Sequence, residues 1–288
     1  GLVWGASRVG GALTPLVITP LLKVYPWQTP FFLFGAIGVI WSVLWYVWFR
    51  DDPAVHPAVS SQELAEIAAS KSHGLHHGVP WGDLFGTPRL WLILGMYGFY
   101  VFGDIFFMFG LTKYFTKGRG LGDYEAALAV SLAFGVGALG NAFGGWMSDR
   151  LSKRIGLWIG RSLVGAFIMT LACLLLVVTA FFPGKWPAIL LLATCFGVLD
   201  AMLPVAWSIC LDVGKQYSGA VSGAMNTAGQ AAGALCMVLY GYYIQWTSNY
   251  ETPLLIFAGS LLISAAFFLL IDPTRPLVHE SSIPDAAH

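Results

Sequence analysis

The sequence predicts an all-α membrane protein of eight transmembrane helices, and three observations carry that reading. The first is composition: AVILMFWYC residues fill 57% of the 288 positions and charged residues 10%, against roughly 25% charged in soluble proteins. The second is segregation. Eight apolar spans, at 1–22, 31–49, 90–112, 124–147, 157–182, 187–210, 217–243 and 252–271, hold five of the thirty charged residues: Arg8, Asp104, Glu125, Arg161 and Asp200. The third is length. A bilayer core of about 30 Å takes about 20 apolar residues as a helix, and every span comes near that. In hydrocarbon the backbone must satisfy its own hydrogen bonds, which selects helices over open strands.

Other classes fall with the same arithmetic. Net charge is zero and no basic run exists, so nothing points to nucleic acid. Cys173, Cys195, Cys210 and Cys236 lie singly inside apolar spans, where cysteine behaves as a small hydrophobe. No disulfide, no metal site and no cofactor is expected. The cluster His73, His76 and His77 reads as solvated loop. No HExxH or GxSxG is present, and all six histidines lie in loops or the tail, against a membrane-embedded enzyme. No basic segment precedes the first span, so it is not a signal peptide; the chain starts inside a helix and reads as a fragment.

Lys and Arg are uneven across the spans. Arg50, Lys71, Arg89, Arg150, Lys153, Arg154, Arg161, Lys215 and Arg275 fall on one side, and Lys23, Lys113, Lys117, Arg119 and Lys185 on the other. The positive-inside rule places the 50–89 loop and the C-terminus in the cytoplasm. That loop carries Ser60 and Glu63 at capping-box spacing, the start of a short helix. The expected organisation is two helices over 1–49, the cytoplasmic loop 50–89, a six-helix bundle over 90–271, and a tail, 272–288.

The turn after the fourth span reads Gly145-Trp146-Met147-Ser148-Asp149-Arg150, then Lys153-Arg154. Gly permits close helix packing, Asp can face a helix N-terminus, and the basic residues hold the turn inside. This pattern resembles the loop motif of the major facilitator superfamily, which lies between helices 2 and 3 and again between helices 8 and 9. As the second copy it would number the spans 5 to 12. Residues 1–49 would then end an N-terminal bundle, 90–271 would form the complete C-terminal bundle, and four helices would be missing. Pro204–Lys215 and Gly219–Gln230 resemble helices 10 and 11 of the anion:cation symporter family, which includes sugar-acid importers and is related to the vesicular glutamate transporters and sialin. Gly5–Gly11, Asp52-Pro53 and Ile271–Pro276 support the resemblance. Gly110–Tyr114 departs from an aromatic-Leu-Pro run found in many members.

Individual residues then become candidates. Ser218, Ser222, Asn226 and Gln230 recur every fourth position, a polar stripe that must face a neighbour or a cavity. The serines read as interhelical glue; Asn226 and Gln230 read as either glue or substrate contacts, and the resemblance places Asn226 among substrate-facing positions. Gly219/Gly223 and Gly229/Gly233 are small-xxx-small pairs for close contact. Pro204 cannot donate to the carbonyl of Asp200, which leaves a freed carbonyl and a carboxyl at one depth. Asp200 is either a proton carrier or the partner of a neighbouring helix. Trp207 and Ser208 match positions near substrate in relatives. Arg8 offers a bidentate fork to a carboxylate or serves as an interface residue. Asp104 is a coupling group or a partner of Arg8. Tyr97 and Tyr100, a turn above it, line the same cavity or pack. Glu125 and Arg161 are expected to snorkel.

The function these residues and the resemblance imply is secondary active transport of a small organic anion, a sugar acid or other carboxylate, coupled to H⁺ or Na⁺ by alternating access. The transporter would be a monomer in the cell inner membrane. Two other readings stand beside it, a membrane-embedded enzyme and an inactive structural remnant. The 288 residues alone are expected not to transport, because alternating access needs two halves.

Overall fold

The computed structural model describes residues 2–71, 79–182 and 184–277. Its helices are α1 (Leu2–Val24), α2 (Thr29–Trp48), α3 (Ser61–Lys71), α4 (Trp81–Gly86), α5 (Pro88–Gly118), α6 (Asp123–Ile155), α7 (Trp158–Phe181), α8 (Lys185–Gly214), α9 (Ser218–Thr247) and α10 (Thr252–Leu270). Among the described residues there is no strand. Eight helices are long, one for each apolar span. All but α1 lie in stretches long and apolar enough to cross a bilayer; Arg8, Lys23 and three glycines lower the apolarity of α1. The histidine cluster 73–77 lies outside the described residues.

Helix ends follow local chemistry. Pro30, Pro88 and Pro253 stand in the first turns of α2, α5 and α10, where their missing N–H costs nothing. The amide of Glu63 donates to Ser60 Oγ at 3.2 Å, the N-cap expected there. Glu125, expected to snorkel, is exposed and accepts the Gly122 amide at 3.2 Å at the start of α6. That helix runs past the expected end of its span, through the basic turn, because nothing breaks it before Gly156. Gly156 adopts φ 100°, a conformation open to glycine. Two stretches of α5, Phe106–Gly110 and Tyr114–Gly118, and one of α7, Trp158–Leu163, are wound as wider π turns.

The chain divides into two compact units, Gly1–Leu16 with Val79–His288, and Val17–Gly78. In the smaller unit α2 is apolar on every side, yet Pro30 is its only buried residue. Trp45 stacks on Phe49 with centroids 4.7 Å apart, and Trp48 meets His56 edge-on.

The larger unit is a helical bundle. α6 packs along α8, α8 also touches α7 and α9, α7 packs on α10, and α5 lies between α9 and α10. Small residues set the closest approach. A Cβ at Gly140 would overlap the Gly197 carbonyl, and one at Gly144 would overlap Ala201. At Gly145, the glycine of the turn motif, a Cβ would sit 3.4 Å from Pro204, an ordinary contact. The close packing expected of Gly145 therefore belongs to its neighbour Gly144. On α9, Gly229 and Gly233 press against Tyr97, Val101 and Ile105 of α5. Gly219 and Gly223 meet nothing within 4 Å; Gly223 lies about 120° around the helix from Gly229 at 100° per residue. The four cysteines are free and buried, and Cys210 Sγ lies 3.3 Å from Met225 Sδ between α8 and α9.

Polar side chains knot both ends of the bundle. At one end Arg119 joins Tyr114 at 2.8 Å, Glu251 at 3.0 Å and the Thr179 carbonyl at 3.2 Å. At the other, Arg161 donates to Ser148 at 2.7 Å, Asp149 at 2.8 Å and Asp212 at 3.0 Å. Arg161 was expected to snorkel; it is buried, because two carboxylates and a hydroxyl offer it better partners than water. Ser148 in turn donates to the Gly160 carbonyl at 2.6 Å.

Candidate functional site

Arg8 and Asp200 meet within the larger unit, from the second turn of α1 to the middle of α8. Arg8 Nη2 donates to Asp200 Oδ1 at 2.7 Å, and Nε lies 2.7 Å from Oδ2. The Arg8 side chain is 13% exposed and that of Asp200 not at all. The remaining Arg8 Nη1 finds only Met108 Sδ, at 3.4 Å, and the guanidinium sits 5.2 Å over the Phe196 ring. Asp200 is fully enclosed and Arg8 nearly so, which makes the attraction strong and the cost of removing one partner high, about 3–5 kcal/mol.

The backbone beneath Asp200 is interrupted as the sequence implies. Pro204 supplies no N–H to the Asp200 carbonyl, and Asn141 Nδ2 of α6 takes its place at 3.3 Å. Asn141 is fully buried and its Oδ1 has no partner. Sequence reasoning missed this residue. The signal was present: Asn141 is an amide set among Gly137, Gly140 and Gly144 in an apolar span. A Cβ at Gly137 would stand 2.7 Å from Asp200 Oδ2, so the glycine also makes room for the carboxylate.

Asp104 on α5 lies in the electrostatic field of both Arg8 and Asp200. It is 8% exposed and its Oδ1 has no hydrogen-bond partner; the Tyr100 hydroxyl, also enclosed, has none at usable geometry. The π turn of α5 begins two residues later, at Phe106. Tyr97 lies beside Trp207, whose Nε1 is buried without a partner. Trp207 also packs on Trp4 of α1 at 5.8 Å.

The structure therefore brings Arg8, Asp104, Asp200 and Tyr100 together. Trp207 flanks them and Ser208 is half-buried. Asn226 is half-buried and Gln230 exposed, and neither makes a hydrogen bond among the described residues. No polar contact joins them to the Arg8–Asp200 pair. The serines of the stripe differ from expectation: Ser222 donates to Gly219 of its own helix, not to a neighbour. Of the turn motif, Asp149 binds Arg161, Arg150 lies 5.5 Å over the Trp146 ring, and Lys153 and Arg154 are exposed.

The description "Major Facilitator Superfamily" belongs to a family model that matches residues 1–237. The chain is 31% identical over 283 residues to a Cupriavidus necator protein named "Probable sulfoacetate transporter SauU", covering 95% of the chain and 64% of that protein. It is 24% identical to the "Hexuronate transporter" of Bacillus subtilis, covering 96% and 65%. It is 25% identical to the "Probable galactarate/D-glucarate transporter GudP" of Escherichia coli, covering 85% and 57%. The chain spans less than two thirds of the length of these curated relatives. A solved bacterial homologue of the human lysosomal transporter Spinster has the same fold, with a TM-score of 0.61 and 16% identity over 94% of this chain and 65% of that one. The long apolar helices, their bundle and the family match agree: the chain is a multi-pass membrane protein and belongs to the Major Facilitator Superfamily.

Proposed function

We propose that this chain provides the C-terminal bundle, and the two helices before it, of a secondary active transporter for a small organic anion. Residues 1–49 end the N-terminal bundle, 50–89 form the central loop, and 90–271 form the second bundle. The anion is a sugar acid or another small carboxylate, and sulfoacetate, named for one relative, is among the acids to test. The observation that carries this reading is a guanidinium held inside a membrane bundle with one amine turned only to a thioether. Arginine's planar fork matches carboxylate and sulfonate oxygens. Arg8 anchors the anion, and Tyr100, Trp207, Ser208, Asn226 and Gln230 shape and line its path. Asp104 and Asp200 are the candidates for coupling to H⁺ or Na⁺. Gly145, Asp149, Arg150, Lys153 and Arg154 hold the cytoplasmic turn. The transporter works as a monomer in the cell inner membrane, with its C-terminus in the cytoplasm.

A thermal-shift screen of the full-length protein against sulfoacetate, glucarate and glucuronate tests this. At least one acid is expected to raise the melting temperature, by about 2.7 kcal/mol of stabilisation at a hundredfold excess over Kd. The shift should shrink in Asn226→Ala and in Asp200→Asn. An unchanged shift in both variants removes these residues from the site.

A further inference from the structure

The surroundings of Arg8 hold one positive side chain and two negative ones. Both Asp200 oxygens approach the guanidinium at 2.7 Å, so that carboxylate has a cation beside it. Asp104 has no such partner. Its Oδ1 is enclosed and unbonded, beside an equally unbonded Tyr100 hydroxyl. With both carboxylates ionised, the site would carry one unmatched negative charge among Phe106, Phe107 and Phe196. Buried charge is tolerated when paired and is otherwise neutralised.

We propose that Asp104 is the seat of the coupling proton, and that Asp200 is the resident counter-ion of Arg8 rather than a second carrier. This deepens the transport reading and rests on it. A proton from the aqueous side bonds to one Asp104 oxygen and leaves a neutral acid; its release to the opposite side restores the carboxylate. The titratable groups in the field of Asp104 are Arg8 from α1, Asp200 and Cys195 from α8, and Tyr97 and Tyr100 from its own helix. From α9 and α10, Gly229, Gly233, Tyr240, Ser260 and Leu261 pack on this stretch of α5; none is a carboxylate or a base, and Tyr240, the one titratable group, lies against Phe106 and Gly110. A metal cation needs a shell of oxygen ligands, and the oxygens of Asp200 are taken by Arg8. A proton needs one.

The test reads no transport, so its failure is separable from failure to carry any particular acid. The full-length protein, free of substrate, is melted from about pH 6 to about pH 8.5. Wild type, Asp104→Asn, Asp200→Asn and Arg8→Gln/Asp200→Asn are compared in sodium and in choline salts. Wild type is expected to melt lower as pH rises. Asp104→Asn should lose that slope and melt several degrees above wild type at the alkaline end. Asp200→Asn should melt lower throughout, and the double variant should recover. A wild-type slope retained in Asp104→Asn overturns the proposal. So does a slope set by sodium instead of pH. The infrared carbonyl band of a protonated carboxyl gives a second readout, expected in wild type and shifted in Asp104→Glu. A band untouched by that substitution also overturns the assignment.

Discussion

Asn141 Nδ2 donates to the main-chain carbonyl of Asp200 at 3.3 Å, filling the place that Pro204 leaves vacant four residues on. One side chain of α6 thus repairs the backbone of α8 at the level of its only carboxylate before Asp212. Asn141→Ala leaves that carbonyl bare and is expected to cost about 1–3 kcal/mol. In a Pro204→Ala background the restored N–H makes the same substitution nearly neutral. A double-mutant cycle of melting free energies measures the coupling; additive costs would contradict the repair.

The α6–α8 seam gives a second expectation. Gly144→Ala places a methyl against the backbone of Ala201, which cannot yield, whereas Gly145→Ala places one at ordinary distance from Pro204. The first is expected to cost about 1–3 kcal/mol and the second well under half of that. Denaturation of the purified protein in detergent orders the two.

At the end carrying the basic turn, Arg161 ties Asp149, Ser148 and Asp212 together. Arg161→Gln is expected to cost about 2 kcal/mol, because a buried hydroxyl and a largely enclosed carboxylate lose a charged partner. Asp149 is 59% exposed and Asp212 23%, so solvent screens the first. Asp149→Asn should cost less than about 1 kcal/mol and less than Asp212→Asn in the same melt.

The tail offers a pH dependence. Thr274 donates to the Asp272 carboxylate from its hydroxyl at 2.5 Å and its amide at 3.0 Å, which, with Arg275 beside it, holds the carboxyl below its ordinary range. A lowered folded value means the turn is fully supported above the ordinary carboxylate range and loses that support as pH falls through the folded value. Hydrogen exchange at the Thr274 amide should therefore accelerate only in strong acid. Asp272→Asn should make it pH-independent beyond intrinsic exchange.

What the sequence disclosed depended on range. Each apolar span became a helix, since span length and local charge are written in consecutive residues. Pro204 announced the freed carbonyl for the same reason. The partners were hidden: Arg8 and Asp200 are 192 residues apart, and Arg161 and Asp212 are 51 apart. Pattern marked Arg8, Asp104 and Asp200 as costly charges without saying which pair would close. Arg161 read as a span-end residue because its carboxylates sit on other helices. Gly219/Gly223 and Gly229/Gly233 look alike in sequence, and only their place around and along α9 separates the packed pair from the open one.

Counterflow uptake of a labelled acid by the full-length protein in liposomes tests the anion anchor most directly. Wild type is compared with Arg8→Gln/Asp200→Asn, which removes both charges of the pair together. The account predicts that the double variant assembles and melts near wild type but loses uptake at least tenfold, about 1.4 kcal/mol. Uptake equal to wild type in the double variant would contradict it.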